Sequence, residues 1–313
     1  MKFGASVWPF RWDTPYDDAI RRIAQLGFQA MELIAWNREV LDEYYTPAEI
    51  KKLRTVLDDE GIVLSEFVST PKGMSSPEKG ERDKSVEHFK RLVEVAVELG
   101  TDTVNTVSAY PFAVEFPRIT DRPHMQVFQV DVPRDLDWKQ NWVDYVDTIR
   151  RCCDLCEDAG VRYALEPHPF RYMCNAASML RLIDHVGSDA LGMNFDPSHL
   201  FPMGEIPHVV IYELGDRIFH CHFSDNDALT NVHWRPGKGK IDWTAVMQAL
   251  KDTGFDGVIS IELEDVPGVS RGAREVPGVY RGNWDATETF EIENQKSVAY
   301  LKNICAELDI PVG

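Results

Sequence analysis

The stretch YALEPHPFRY, residues 163–172, indicates how the chain folds, because it reads as a buried strand that ends in ionisable residues. Its first three residues are apolar and typical of a strand inside a protein. Glu166 and His168 follow, and each has a proline directly after it. Prolines end strands and stiffen loops, and side chains alternate along a strand with period two. The stretch therefore predicts that Glu166 and His168 lie on one side of a rigid strand end.

Seven other apolar runs resemble this strand, and amphipathic segments with helical spacing separate them. The predicted strands are residues 2–8, 30–36, 62–69, 101–108, 161–168, 191–199, 217–225 and 257–265. Eight strands in strict alternation with eight helices predict an α/β protein of the (β/α)8 TIM barrel type. The competing fold is a doubly wound open sheet, but the first strand lacks the G-x-G-x-x-G turn of that class.

Two segments interrupt this alternation. Residues 109–137 form a long insertion after the fourth strand, and residues 266–287 form an extended loop after the eighth. Loops of this length are usually functional lids or mobile segments. We expect one domain over residues 1–313 that includes both segments.

The charge of the chain limits its partners. There are 33 basic and 51 acidic residues, for a net charge of −18. Nucleic acid and anionic membranes attract clustered Lys and Arg, so neither is expected as a partner. The sequence has no signal-peptide pattern and no run of 18 apolar residues, and we expect a cytoplasmic protein that acts on a small molecule.

The last four predicted strands carry polar groups on one face. By period two, these are Glu166 and His168, then Asn194 and Asp196, then His220 and His222, then Glu262 and Glu264. One such group alone is more often a hydrogen-bonded or ion-paired residue. Here four consecutive strands carry such groups on the same face. Burying that many ionisable side chains together is costly unless a cation compensates their charge. Two Glu, one Asp and one His suit a divalent ion, with Mn²⁺ expected first and Mg²⁺, Co²⁺ or Zn²⁺ as alternatives.

Aromatic and imidazole side chains beside these strands suggest how a substrate is handled. Trp8 and Trp36 follow the first two strands and are candidates for a wall on which a sugar or an aromatic group stacks, although core packing explains such residues equally well. His168 suits proton transfer near neutral pH because an imidazole has a reference pKa of about 6.5. Its alternative role is to pack in the loop and hydrogen-bond to the metal ligands without touching the substrate.

Five motifs point to a family. They are LEPH at strand five, NFDPSH at strand six, HCHFSD at strand seven, PGKGKIDW before the seventh helix and ISIELED at strand eight. With these, the chain resembles the xylose-isomerase-like barrels, also called sugar phosphate isomerases/epimerases. The resemblance implies metal ligands at Glu166, Asp196, His222 and Glu262. It also implies that His199 and Arg235 contact the substrate, and that Glu166 and Glu262 join His168 as catalytic residues.

The chain also departs from the usual pattern of that family. Ser224 stands where many relatives have Lys, and Lys238 stands where Glu is common. The Glu-x-His of strand five and the long loops resemble more closely the catalytic α subunits of C-glycoside deglycosidases. That resemblance implies a small β subunit, a hetero-oligomer, and cleavage of the C–C bond between a 3-oxo sugar and an aromatic aglycone.

Three functions follow as hypotheses. The first is a metal-dependent C-glycoside deglycosidase, which is a carbon–carbon lyase. The second is a ketose or sugar-phosphate isomerase or 3-epimerase. Both begin by removing a proton next to a carbonyl. The third hypothesis is a barrel subunit without catalytic activity, and the intact set of candidate ligands argues against it.

Overall fold

The eight strands close into a parallel barrel. The structure, a computed structural model, describes residues 1–115, 127, 129–266 and 287–312 of the chain. Each strand pairs with the next, and β8 pairs with β1. The strands are β1 (Lys2–Ser6), β2 (Ala30–Ala35), β3 (Val63–Ser69), β4 (Thr103–Val107), β5 (Arg162–Glu166), β6 (Leu191–Phe195), β7 (Ile218–Phe223) and β8 (Val258–Ile261). The predicted (β/α)8 barrel is confirmed.

Ten α-helices occur in the described residues, two more than the alternation predicted. They are α1 (Asp17–Gln25), α2 (Arg38–Glu43), α3 (Pro47–Glu60), α4 (Lys79–Leu99), α5 (Trp138–Ala159), α6 (Ala176–Val186), α7 (Pro197–Leu200), α8 (Pro207–Leu214), α9 (Trp243–Asp252) and α10 (Thr287–Glu307). The additional helices, α2 and α7, are short turns in loops after strands. Asn37 and Asp196 begin them, since each side chain accepts a hydrogen bond from a backbone N–H of the new turn.

Seven of the eight strands end earlier than the pattern predicted, and β3 ends at Ser69 as predicted. The predicted strand 191–199 ends at Phe195, because Asp196 caps α7 and Pro197 cannot continue the ladder. In the same way, His168 lies beyond β5, which ends at Glu166. The sequence pattern therefore overestimates strand length at the carboxyl ends of β5 and β6.

The barrel is held by apolar side chains between the strands and the helices. Tyr163, Met193 and Phe195 face outward from β5 and β6 and are fully buried. At one point the packing requires the absence of a side chain, because a Cβ on Gly192 would lie 2.5 Å from the carbonyl oxygen of Arg217. In the part of the chain that the structure describes, no helix is both long enough and apolar enough to cross a membrane.

The two predicted interruptions are described only in part. Residues 109–115, 127 and 129–137 connect β4 to α5, and they include a short 3₁₀ turn at Pro111–Ala113. The rest of the 109–137 insertion lies outside the described residues, as does all of the 266–287 loop apart from its two end residues. The single domain over 1–313 stays a prediction.

Candidate metal centre

The four predicted metal ligands meet at the carboxyl ends of four consecutive strands. Glu166 is the last residue of β5, Asp196 follows β6, His222 lies in β7, and Glu262 follows β8. Each offers one ligand atom, and these four atoms all lie within 4.8 Å of one another. All four side chains are buried. Barrel closure therefore brings together residues that are up to 96 positions apart in the chain.

The spacing and chemistry of these atoms fit a divalent cation. The Nδ1 atom of His222 lies 3.3 Å from Glu166 Oε1 and 3.3 Å from Glu262 Oε2. Ligand atoms about 2.0–2.2 Å from one ion stand at such separations. Asp196 Oδ2 and Glu262 Oε2 are buried and have no hydrogen-bond partner among the described residues. Three carboxylates and one imidazole with oxygens left unpaired are a donor set that a cation would satisfy.

The other oxygens of two ligands are held by the protein. Asp196 Oδ1 accepts a hydrogen bond from the Ser198 backbone N–H at 2.7 Å, which is the cap of α7. Glu262 Oε1 accepts one from Trp8 Nε1 at 2.8 Å. Each contact leaves the second oxygen of its carboxylate for another partner and restricts the rotation of the side chain. The two carboxylates are thus preorganised rather than free to turn.

The electrostatics of the cluster are those of an anionic pocket. Burial alone would lower the pKa of His222, but the carboxylates of Glu32, Glu166 and Glu262 outweigh burial and raise the pKa well above its usual value. Burial would raise the pKa of Glu262, and His222 outweighs it and lowers the pKa on balance. The carboxylates therefore stabilise positive charge at this point, whether it is carried by a proton or by a metal ion.

Two further imidazoles border the cluster. The rings of His168 and His199 have centroids 3.6 Å apart. His199 Nε2 lies 3.6 Å from Glu166 Oε1 and 3.4 Å from Asp196 Oδ2, and its Nδ1 lies 2.9 Å from Asn231 Oδ1. Burial, and then the neighbouring His199, lowers the pKa of His168 well below its usual value. His168 is therefore neutral, and its buried Nδ1 has no partner in the described part of the chain.

A third imidazole, His233, was not predicted from the sequence. It is 2% exposed, and its Nε2 lies 3.5 Å from Asp196 Oδ2. Neither ring nitrogen makes a hydrogen bond within residues 1–115, 129–266 and 287–312. His233 lies on a loop, where period-two arguments do not apply. The only feature of the sequence that could have indicated it is its position just before the PGKG turn, which belongs to one of the family motifs.

The predicted aromatic wall lies next to the cluster. The Trp8 ring contacts the His222 ring edge-on, with centroids 5.7 Å apart. Trp36 stacks on Trp12 at 4.0 Å and meets Trp8 edge-on at 6.3 Å. The rings of Trp8, Trp36 and Trp12 thus contact one another in sequence and form an aromatic surface. Trp8 is the ring next to Glu262, to which it donates a hydrogen bond. Whether a substrate stacks on it stays a prediction.

Arg235, the other predicted substrate contact, is paired with the protein itself. Its Nε lies 3.0 Å from Glu293 Oε2 on α10. The nearby turn is anchored by Asp225, whose Oδ2 accepts hydrogen bonds from the Gly237 N–H and from Trp243 Nε1, both at 2.9 Å. The role of Arg235 in substrate binding stays a prediction.

A cavity of about 650 Å³ adjoins the aromatic surface. Trp36, Lys72, Tyr110 and Arg171 are among its lining residues. The Arg171 guanidinium lies over the Tyr110 ring, 4.0 Å from its centroid, and donates a hydrogen bond to the Ser108 carbonyl oxygen. The cavity thus has aromatic, cationic and hydrogen-bonding walls, and its volume lies within the ordinary range of ligand pockets, roughly 300–1,000 Å³.

A second layer of polar residues lies deeper in the barrel. Glu32 of β2, Glu66 of β3 and His220 of β7 are at most 2% exposed, and they lie beside His222. Sequence reasoning selected His220 but missed both glutamates. The available signal was a carboxylate inside each of two apolar strands, AMELIA and VLSEFVS. Charged residues are rarely buried without a partner, so such an interruption marks a site of some kind.

Comparison with known proteins establishes the family. Residues 20–307 match the Xylose isomerase-like TIM barrel family. This range is most of the chain, and the chain therefore belongs to that family. The family agrees with the observed barrel and with the resemblance carried by the strand-end motifs.

The relatives of the chain include sugar epimerases. A D-psicose 3-epimerase from Ruminiclostridium cellulolyticum is 23% identical over 276 residues, which are 84% of this chain and 83% of that protein. A fructoselysine 3-epimerase from Shigella flexneri is 20% identical over 256 residues, 80% of this chain and 85% of that one. The crystal structure of D-psicose 3-epimerase with D-tagatose from Clostridium cellulolyticum H10 superimposes with a TM-score of 0.75 at 20% identity, over 97% of this chain and 99% of the other.

Proposed function

We propose that the chain is a divalent-metal-dependent sugar epimerase or isomerase that moves a proton next to a carbonyl group. The observation that carries this proposal is the buried set of three carboxylates and one imidazole at the mouth of the barrel, bordered by His168 and His199. The kinship with 3-epimerases supports the same reaction class. Mn²⁺ is the proposed ion, held by Glu166, Asp196, His222 and Glu262.

The residues of the chain divide the chemistry between them. A bound divalent cation would polarise the substrate carbonyl and acidify the hydrogen on the neighbouring carbon. Glu262 and His168 each present an atom without a hydrogen-bond partner among the described residues, Oε2 and Nδ1, which can accept that proton. Epimerisation needs the proton to return on the other face of the same carbon. We assign Glu166, Glu262 and His168 to these transfers, and His199 to the substrate oxygens.

The test is isotope exchange on sugars. The purified chain loaded with Mn²⁺ is incubated in D₂O with D-fructose, D-psicose, D-tagatose and phosphorylated ketoses, and NMR records deuterium at the carbons next to the carbonyl. We expect exchange together with formation of the epimer or isomer. Glu262→Gln serves as the control and should show neither. A metal-loaded wild-type chain that exchanges no proton on any of these sugars or on the glycosides below would contradict the proposal.

A second candidate is the C-glycoside deglycosidase, and the cavity favours it. The cavity of about 650 Å³ is lined by Trp36, which meets Trp8 edge-on, and Trp8 donates a hydrogen bond to Glu262. This volume would accommodate a large substituent on the sugar. In this reaction His168 Nδ1 takes the proton from the carbon between the 3-oxo group and the anomeric carbon. The electron pair of that C–H bond forms a double bond to the anomeric carbon as the C–C bond to the aglycone breaks, and the proton on His168 then passes to the departing ring carbon. A small β subunit is a proposed partner in this case.

Substrate and partner can be tested together. The chain is purified from its native host without a tag and then incubated with a 3-oxo-C-glucoside. Release of the free aglycone, together with a small polypeptide that copurifies in fixed ratio, supports the lyase. Inversion of free ketoses without release of an aglycone supports the epimerase. Elemental analysis that finds no stoichiometric metal in a well-folded chain would favour the non-catalytic subunit over both.

A further inference from the structure

We propose that Glu32, in the deeper polar layer, is a positioning residue for His222. It holds the imidazole with its proton on Nε2, so that the lone pair of Nδ1 faces Glu166 and Glu262. The inference rests on the proposed metal centre and deepens it. It concerns the residue that makes His222 a competent ligand.

The contact is short and fully buried. Glu32 Oε2 lies 2.9 Å from His222 Nε2, and both side chains are 0% exposed. On the other side, Ser6 Oγ lies 3.5 Å from both carboxylate oxygens of Glu32. Ser6 and Glu32 are register partners in β1 and β2. The shorter contact of the Glu32 carboxylate is therefore the one with the imidazole, and Ser6 lies beside it at the limit of hydrogen-bond distance.

The hydrogen-bonding capacity of a carboxylate explains what this contact does. An ionised carboxylate only accepts hydrogen bonds, so the imidazole nitrogen that faces it must carry the proton. A neutral imidazole has one N–H and one lone pair. With the proton on Nε2, the lone pair is on Nδ1, which is the nitrogen 3.3 Å from Glu166 and from Glu262. The same nitrogen lies 3.0 Å from Asn194 Nδ2, an amide group that donates hydrogen bonds and therefore agrees with a lone pair at Nδ1. A carboxylate behind a ligating histidine also makes the imidazole a stronger donor to the metal.

Glu66 provides a matched control from the same chain. It is the register partner of Glu32 on β3 and is likewise 0% exposed. Its Oε1 lies 3.8 Å from His222 Nε2, which is too far for a hydrogen bond, and neither of its oxygens has a hydrogen-bond partner among the residues described. Burial, and then the neighbouring charge of Glu32, raises the pKa of Glu66 well above its usual value. Glu66→Gln therefore makes the same carboxyl-to-amide change in the same layer without removing the contact with His222.

The same residues also allow a competing explanation. Glu32, Glu66, His220 and His222 offer ligand atoms within 4.8 Å of one another, so this layer could itself hold a second cation. In that case Glu32 would be a ligand and not a positioning residue. The two explanations differ in metal stoichiometry and in the effect of Glu66.

The experiment compares the wild-type chain with Glu32→Gln, Glu32→Asp and Glu66→Gln. The Mn²⁺ dissociation constant is measured by chelator competition, and the metal content by elemental analysis. We expect one ion in the wild type, a dissociation constant raised by roughly 10–100-fold in Glu32→Gln and little change in Glu66→Gln. Glu32→Asp keeps the charge and shortens the reach, and it also tests the contact should Glu32→Gln fold poorly. In the Zn²⁺-loaded wild type, ¹⁵N NMR of labelled histidine should place the His222 proton on Nε2.

Each contrary result has its own meaning. Equal losses of affinity in Glu32→Gln and Glu66→Gln would show that the contact with His222 Nε2 is not what matters and would overturn the inference. Unchanged affinity in both Glu32 variants, or a His222 proton on Nδ1, would do the same. Two ions in the wild type and one in Glu66→Gln would replace it with a second cation site. A wild-type chain that binds no metal would instead overturn the proposed metal centre on which the inference rests.

Discussion

His222 is the residue on which the candidate site depends, because three carboxylates contact its ring. Glu32 lies 2.9 Å from Nε2, and Glu166 and Glu262 each lie 3.3 Å from Nδ1. Ionised carboxylates that are buried without compensation would cost several kcal/mol each, so they are stabilised here by a neighbouring group that carries positive charge. His222 lies between the carboxylates and can present an N–H to Glu32. A cation bound at Nδ1 would compensate the remaining negative charge of Glu166 and Glu262.

At this scale we predict that His168 acts on protons and does not hold the metal. His168→Gln should lower turnover by about 10²–10⁴-fold, which is the usual contribution of a general acid or base. Its Mn²⁺ affinity should stay close to that of the wild type, since the four proposed ligands are intact. Steady-state kinetics on the sugar found by the exchange assay and chelator competition measure the two quantities. Glu166→Gln is the comparison variant and should lose both activity and affinity. An unchanged turnover number in His168→Gln would reduce His168 to a supporting role.

The secondary-structure elements show how far local sequence patterns reach. Period-two alternation predicts the strands and the inward faces of β5 to β8. The sequence Thr46-x-x-Glu49 is a capping-box pattern that predicts the start of α3, and the Thr46 side chain does accept a hydrogen bond from the Glu49 N–H. The ends of elements were predicted less well. The Thr14-Pro15 pair suggests a helix start at residue 15, but α1 begins at Asp17, with Tyr16 at its N-cap and no side-chain cap. Caps and ladder ends depend on neighbouring elements, which a local pattern does not contain.

Packing between strands makes Gly192 a sensitive position. A Cβ there would lie 2.5 Å from the Arg217 carbonyl oxygen and 2.5 Å from the Phe219 ring. We expect Gly192→Ala to destabilise the fold by about 1–3 kcal/mol, as overpacking usually does. Gly80→Ala is the control, because no described atom lies within 4 Å of its added Cβ in the first turn of α4. Gly80→Ala should be neutral or stabilising by about 0.5 kcal/mol. Urea unfolding measures both, and equal effects of the two substitutions would contradict the packing argument.

The contact between α4 and β3 should make stability depend on pH. His88 Nε2 lies 2.8 Å from Ser69 Oγ, and burial, followed by the charge of Arg38, lowers the pKa of His88 to about 4. In the unfolded chain the pKa is about 6.5. Between these values the unfolded chain binds more protons, so stability falls as the pH falls from about 6.5 to about 4. After allowance for partial exposure to solvent, we expect a contribution of about 1–2 kcal/mol.

His88→Gln tests this dependence, since Gln can bond Ser69 but does not titrate. Chemical unfolding at pH 7 and pH 4.5 should show a smaller loss of stability in His88→Gln than in the wild type. Identical pH dependence in the wild type and His88→Gln would show that His88 is not responsible.

On the scale of the whole molecule, the proposed metal centre connects several strands of the barrel. The four proposed ligands come from β5, β6, β7 and β8 or from the residues directly after them. A bound ion would therefore form bonds to residues of four of the eight strands or of their carboxyl ends. A ligand that binds only the folded state stabilises it by an amount set by its concentration relative to the dissociation constant. Metal content and global stability are therefore linked.

We predict that metal removal lowers the melting temperature of the entire chain. At a Mn²⁺ concentration 100 times the dissociation constant, the stabilisation should be about 2.7 kcal/mol. Differential scanning fluorimetry with and without a chelator measures the shift. Asp196→Asn keeps a side chain that can cap α7 but weakens the ligand, so it should melt at nearly the same temperature in both conditions. An equal Mn²⁺ shift in Asp196→Asn and the wild type would place the ion elsewhere.

The sequence by itself determined the order of strands and helices, the barrel, and the polar faces of β5 to β8. These features follow from local periodicity and from the physical preferences of Pro, Gly and capping residues. Only the tertiary structure decided that His233 joins the mouth of the barrel, that Glu32 and Glu66 lie beneath His222, and that Arg235 pairs with Glu293. The reason is physical: strand register and barrel closure bring together residues that are far apart in the chain. No periodicity within one segment specifies which of them will meet.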